Sequence, residues 1–462
     1  MKRRGLKITA SIVIAAMIIA LGTIAKHRTY EYPYKPKADY KYLFNTEYSS
    51  SFDAKFDGKA LDLSVVPEGF STAFAEIDIR TTGKGFISEP EIGMNADGFS
   101  VFQDFECRAK GKRYLNISQF VQQGKKKVIL TLKGCKLKSQ SIKVFAWKDN
   151  NPSGEKMLIL APHPDDAEIA AYGLYASNPA NTFIATITAG DAGDMNYDEL
   201  YRDSVQQYIK KGKMRVWNSL TIPLLGGMAP DHCINLGYFD AVLWKMFEDT
   251  TAHGFSRYIK TDDIHLFRSA NCPTLPDSQK PESTWRSLVN DLKNLLQKVQ
   301  PTAILTVYPA LDYHFDHKST TIALLQAMKE LNYDRCELWL YTNHLPLTSM
   351  YPDGKIGSQI SLPPYFETLP IYFDKLLSFP LSKELQSDKA LALDAMNDLR
   401  PDTQYRNTKA SWKQTKQNFW DKLYLKESDY FRRSVRSNEL FFVIEGKNAL
   451  QPEIQTKILG KL

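Results

Sequence analysis

Between Met157 and Tyr341 short apolar runs alternate with helical ones, and this alternation leaves few folds open. Met157-Leu158-Ile159-Leu160 reads as a strand ending in a turn, and Ala167 to Ser177 as a small-residue helix. Phe183 to Thr188 reads as the next strand and Thr221 to Leu225 as a weaker third. From Glu282 to Val299, the residues Trp285, Leu288, Leu292, Leu295, Leu296 and Val299 mark one helical face. That helix feeds the strand Ala303–Val307, and Leu338–Tyr341 is a later strand. Strands separated by helices require crossover connections, so the expected fold is α/β: a Rossmann-like, mostly parallel sheet with helices on both faces, over residues 151–345. Residues 226–280 carry little periodicity and read as an insertion near the mouth of the sheet, a size of loop that commonly covers a site. Residues 346–462 hold one clear helix, near Ser382–Leu399, and an aromatic, basic tail; they are expected to pack on the core as an extension.

The preceding segment follows another rule. From about Ser50 to Lys148, runs such as Ala75–Ile79 and Val128–Leu132 are separated by Gly, Asn, Asp and Lys turns, which points to an all-β sandwich over residues 49–150. Asn150–Gly154 reads as the linker after it. Between Cys107 and Lys148 stand twelve Lys/Arg and no Asp/Glu. Those cations either pair with the acidic first half of the segment or meet an anionic polymer or lipid surface.

Lys2, Arg3, Arg4 and Lys7 precede an apolar run from Ile8 to Ala25. Eighteen residues at 1.5 Å each reach about 27 Å, enough to cross a hydrocarbon core. Residues 1–28 are therefore expected to be a signal anchor, or a signal peptide if cleaved, with 29–48 a spacer leaving the membrane. The anchor reading places the rest of the chain outside the cytoplasm, at the inner membrane, or secreted after cleavage. Five cysteines in such a compartment suggest two disulfides and one buried thiol, with Cys107–Cys135 one pair and Cys233 and Cys272 sharing the later segment. The 59 Lys+Arg against 52 Asp+Glu leave only +7, and with export this argues against a nucleic-acid partner. The 43% apolar content excludes a disordered or collagen-like chain.

The first strand ends in Ala161-Pro162-His163-Pro164-Asp165-Asp166-Ala167-Glu168. A helix N-terminus favours one Asp. Three acids within four residues repel one another unless a cation compensates. A second cluster, Asp312-Tyr313-His314-Phe315-Asp316-His317, follows the Ala303–Val307 strand. In a Rossmann-like order the first and fourth strands are neighbours at the switch point, so both loops face one cleft. A His/Asp/His set with an open fourth position suits catalytic zinc.

This pairing closely resembles the PIG-L/LmbE-like family of zinc-dependent N-deacetylases, whose members carry an (A)HPDD(x)E motif and a later HxDH motif. The matching residues are Ala161 to Glu168, with Pro162 inserted before the histidine, and His314 to His317; the resemblance spans roughly residues 155–345. It implies His163, Asp166 and His317 as zinc ligands and Asp165 as general base. It implies His314, in its protonated form, as the oxyanion stabiliser, with Asp316 orienting or charging it. Thr188–Gly193 is similar to the family's small-residue loop, which makes Asp191 and Arg202 candidates for holding sugar hydroxyls. The expected activity is removal of the N-acetyl group from an N-acetylhexosamine in an extracytoplasmic glycan or glycolipid. The other reading is a sugar-binding protein on a deacetylase-like scaffold that has lost turnover, against which stands the intact set of five site residues.

Overall fold

The computed structural model describes residues 12–20, 22, 36–139, 141–148, 152–193, 200–271, 282–346, 351–364, 371–396 and 430–460. The sandwich is present. One antiparallel sheet holds β1 (Ser49–Lys55), β9 (Ser141–Lys148), β3 (Phe70–Thr81) and β6 (Lys110–Asn116) in that order, with β8 (Cys135–Leu137) also on β3. The other runs β2 (Ala60–Asp62), β7 (Lys127–Lys133), β4 (Glu91–Ala96), β5 (Phe99–Asp104). Asp97 and Gly98, with φ of 49° and 82°, make the tight turn between β4 and β5, where the twist of the hairpin needs positive φ. Along β3 the alternation of a half-buried strand is explicit. Ala73, Ala75, Ile77 and Ile79 enter the sandwich core with Ile92, Met94 and Val128, while Phe74 on the other face joins the core of the α/β domain. Part of the basic stretch pairs with the acidic half: Lys112 with Glu76, Arg113 with Glu106, Lys125 with Asp97, and Lys133 with Glu91.

The second unit is a seven-stranded sheet in the order β12 (Cys233–Tyr238), β11 (Thr182–Thr188), β10 (Met157–Ala161), β13 (Ala303–Val307), β14 (Glu337–Tyr341), β16 (Asn438–Glu445), β15 (Lys375–Pro380). The first five strands are parallel; β16 runs antiparallel to β14, and β15 antiparallel to β16. As expected, the first and fourth strands of the unit, β10 and β13, lie side by side. Alternate residues serve opposite faces. Leu158, Leu160, Ile304 and Leu338 pack with the helices Trp285–Val299 and Phe315–Leu331, and Met157, Ile159, Leu305 and Val307 with Asp166–Ser177 and Lys383–Ala395.

Several expectations are corrected. Thr221–Leu225 is not a strand, because the Ser204–Thr221 helix runs on into a 3-10 turn over Ile222–Gly226; the third strand is β12, inside the supposed insertion. Residues 346–462 do not merely pack on the core, since β15 and β16 complete its sheet. The part of the spacer that is described is not free of the fold. Arg113 Nη2 donates to Pro36 O at 2.8 Å, the Tyr42 hydroxyl donates to Pro363 O at 2.6 Å, and Phe44 packs against both Trp147 and Phe373.

Cys107 and Cys135 are not joined: each is a thiol turned to its own backbone acceptor, Gly85 O and Glu91 O respectively. Cys233 is also a buried thiol, and Cys272 lies outside the described residues. Of the apolar run Ile8–Ala25, residues 12–20 and 22 are described and helical, and the rest lies outside the described residues. No described helix is long and apolar enough to cross a membrane.

Candidate active site

The loops after β10, β13 and β14 meet at the carboxyl end of the sheet. Asp165 ends the turn and Asp166 opens the helix, where the His163 N–H donates to Asp166 Oδ2 at 2.8 Å. From the β13 loop His317 reaches the same point. His163 Nδ1 and His317 Nε2 are 3.0 Å apart, and Asp166 Oδ2 lies 3.4 Å from the first and 3.2 Å from the second. Donor atoms about 2.0–2.1 Å from a zinc ion in tetrahedral geometry stand about 3.3 Å from one another, so this triangle has the right size. The donor chemistry agrees. His317 Nδ1 faces Asp312 Oδ2 at 3.1 Å, which fixes the proton there and turns the Nε2 lone pair to the centre, the arrangement that orients metal-binding imidazoles. Five carboxylates, of Asp165, Asp166, Asp240, Asp312 and Asp316, crowd this one centre.

The surrounding groups place these three. Asn343 Nδ2 donates to Asp166 Oδ1 at 2.7 Å. Asp312 accepts from the His314 N–H at 2.8 Å and the His344 N–H at 3.1 Å as well as from His317. His163 Nε2 is buried without a hydrogen bond, although Asp240 Oδ1 stands 3.3 Å and Asp316 Oδ2 3.6 Å away. Burial disfavours the His163 cation, but Asp240, Asp166 and Asp316 outweigh it and push the group well above its ordinary value. Asp166 is held well below its ordinary value: burial works against this, and His317 and His163 prevail.

Asp165 stands beside the triangle but outside it. Its Oδ1 accepts from Arg215 Nη2 at 3.0 Å, and burial raises its pKa against the pull of that guanidinium. Arg215 is itself anchored on Gly190 O at 3.1 Å. A side chain at Gly190 (φ 62°) would meet that guanidinium at 2.6 Å, so this position needs glycine. His314 Nδ1 accepts from the Asp316 N–H at 3.3 Å, leaving the ring proton on Nε2. Burial, and after it the neighbouring imidazoles of His163 and His317, push the His314 pKa down to about 3.

Sequence reasoning thus brought His163, Asp165, Asp166, His314, Asp316 and His317 to one place, which the structure reproduces. Three expected contacts differ. The Asp316 carboxylate does not touch His314: it accepts from Ala241 N–H at 2.6 Å and Leu243 N–H at 3.1 Å, so it ties the insertion to the site. Asp191 is fully buried, accepting from the Asp240 N–H and the Ser256 hydroxyl, and is pushed up to about 7 by burial and by Asp240. It braces Asp240 and offers nothing to a sugar. Arg202 is exposed ahead of the Ser204–Thr221 helix, with no contact to the cluster among the described residues. Asp240, Arg215, Asp312, Asn343 and His344 went unassigned. For Asn343 and His344 the signal was available, since they directly follow a parallel strand, where α/β sheets place their ligand loops.

Residues 158–328 match the family described as PIG-L: GlcNAc-PI de-N-acetylase. This stretch is a PIG-L domain. No curated protein matches the chain. Among solved structures it is similar to the pseudoaglycone deacetylase Dbv21, at 16% identity and a TM-score of 0.34 over 64% of this chain and 98% of that one. It is similar to a deacetylase of teicoplanin biosynthesis in complex with teicoplanin, at 19% identity and a TM-score of 0.27 over 62% and 98%. A third is GalB, the 4-carboxy-2-hydroxymuconate hydratase of Pseudomonas putida, at 13% identity and a TM-score of 0.29 over 62% and 95%.

Proposed function

We propose that the protein is a metal-dependent N-deacetylase that hydrolyses the acetamide of an N-acetylhexosamine in a glycan or glycolipid, giving acetate and a free amine. One observation carries the reading. His163, Asp166 and His317 converge within 3.4 Å, while Asp165, adjacent in sequence, is kept out of that set and held by Arg215. A divalent cation in the triangle, zinc by the nitrogen-rich donor set, supplies Lewis acidity to a carbonyl and acidifies water. The chain supplies the rest. Asp165 accepts the proton of the attacking water and returns it to the departing nitrogen; its raised pKa suits a group that must both take and give. His314 donates its Nε2–H to the oxyanion, and Asp312 and Asp316 hold the imidazoles and the Ala241–Leu243 loop around it. Action outside the cytoplasm is part of the proposal and rests on the charged, apolar N-terminus.

The test is acetate release from N-acetylhexosamine oligomers and N-acetylated polysaccharide by zinc-loaded protein, with and without chelator. Zinc-loaded protein that releases no acetate from any of them refutes the reading.

A further inference from the structure

The segment that carries His314 also carries two large rings that the fold leaves in solvent: Tyr313 is 57% and Phe315 55% exposed. Their chain is not loose. The His314 N–H bonds Asp312, the Asp316 N–H bonds His314, and the Asp316 carboxylate takes two backbone bonds from the next loop. His314 turns into the cluster, its ring 4.6 Å from that of His163, so the residues on either side of it emerge at the rim. Tyr313 leans on His344 with ring centroids 5.5 Å apart. Phe315 leans on Trp244 at 5.1 Å, and Trp244 directly follows the Leu243 N–H that holds Asp316. Both rings are thus supported by another ring and open to solvent, and they flank the oxyanion donor in the chain.

Exposed apolar rings beside a buried, highly charged centre call for an occupant with apolar faces and polar edges. A pyranose has that character: axial C–H groups line its faces and hydroxyls its rim. We propose that Tyr313 and the Phe315–Trp244 pair are two sugar-stacking subsites bracketing the acetamide position, so that the substrate is a strand of linked sugars rather than a single sugar. This rests on the deacetylase reading and narrows it: a polysaccharide strand spans both rings, whereas one sugar on a lipid engages one at most.

The experiment compares zinc-loaded full-length protein on the monomer, dimer and tetramer of an N-acetylhexosamine. The kcat/KM should rise at least about tenfold from monomer to tetramer. Tyr313→Ala and Phe315→Ala should each raise KM for the tetramer by about three- to tenfold, the range that loss of one ring contact implies, with a smaller effect on the monomer. Tyr313→Phe and Phe315→Tyr, which keep a ring, should restore the tetramer KM. Equal kcat/KM for monomer and tetramer, a better rate on a single lipid-linked sugar, or alanine variants with wild-type tetramer KM would each overturn the subsites. If the wild type releases no acetate from any sugar, the deacetylase reading fails, and calorimetric binding of the tetramer still decides this one. Weaker binding by both alanine variants supports the subsites; unchanged binding sinks them.

Discussion

Replacing Asp312 with Asn tests whether the second layer of the site sets its metal affinity. Asp312 is buried and accepts three bonds: from the His314 N–H on one oxygen, and from His317 Nδ1 and the His344 N–H on the other. An amide has one oxygen to offer. If it faces the two-bond side, the amide nitrogen confronts the His314 N–H, donor against donor, at about 1–3 kcal/mol of folding stability. The His317–carboxylate bond is also weakened, and losing such a partner typically lowers metal affinity about 10–100-fold, roughly 1.4–2.7 kcal/mol. A second effect opposes this one. Burial disfavours the His317 cation, but Asp166 and Asp312 hold its pKa up to about 10, and an incoming cation must displace that proton. Without the Asp312 charge this pKa falls and the proton competes less. As pH rises toward 10 the wild type regains what proton competition takes from it, so the affinity deficit of Asp312→Asn should widen with pH. Chelator-buffered zinc titrations from about pH 7 to 9.5, with denaturant unfolding of the metal-free proteins alongside, measure both parts. A deficit that shrinks with rising pH, or none at pH 9.5, would refute the orienting role.

Asp165→Asn should retain zinc and lose about two to four orders of magnitude in kcat; zinc content by metal analysis and acetate release read the two halves, and full activity would remove the general base. His317→Ala should fail to hold a full equivalent of zinc after dialysis, and retention would show that the donor triangle is misassigned. Lys389→Ala should destabilise the protein by about 3–5 kcal/mol, because the fully buried Glu439 would lose its only ion-pair partner among the described residues; denaturant midpoints with an unchanged slope check this. Alkylation of unfolded, unreduced protein followed by mass mapping should find Cys107 and Cys135 both modified, and a linked peptide pair would contradict the thiols seen here.

Whatever depended on local pattern was legible in the sequence. The β10–β13 adjacency followed from strand–helix alternation, and the two motifs stood at strand ends, so both could be placed at one cleft without coordinates; which of their residues form the triangle was implied by the family resemblance. What depended on distant partners was not. β12 reads Cys-Ile-Asn-Leu-Gly-Tyr, and the buried Asn235 finds its partners in other segments: its side-chain amide donates to Thr188 O and the Ser219 hydroxyl, and its backbone N–H and C=O pair with the Asn271 side chain. No period in the sequence reveals such a strand. Asp240 follows it, so missing the strand meant missing the carboxylate beside His163. The Asp316 contact failed for a similar reason. Proximity in sequence suggested His314 as its partner, while the backbone amides of Ala241 and Leu243, some seventy residues earlier, offered two fixed donors.

The position of β16 bears on how the protein is made. It sits between β14 and β15, and the Glu439 it carries accepts from the Gly173 and Leu174 N–H groups, past the break in helical geometry at Ala171 of the helix that begins with Asp166. Lys389 bonds that carboxylate and also Ile169 O, closing the same break from the other side. A ribosome therefore releases the sandwich strands early, and they can pair while synthesis continues, but the helix that begins with Asp166 lacks its clamp until residue 439 has emerged. During that interval β14 offers an open edge, exposed to a neighbouring nascent chain. Translation speed over the last third of the message should thus influence yield more than speed over the first.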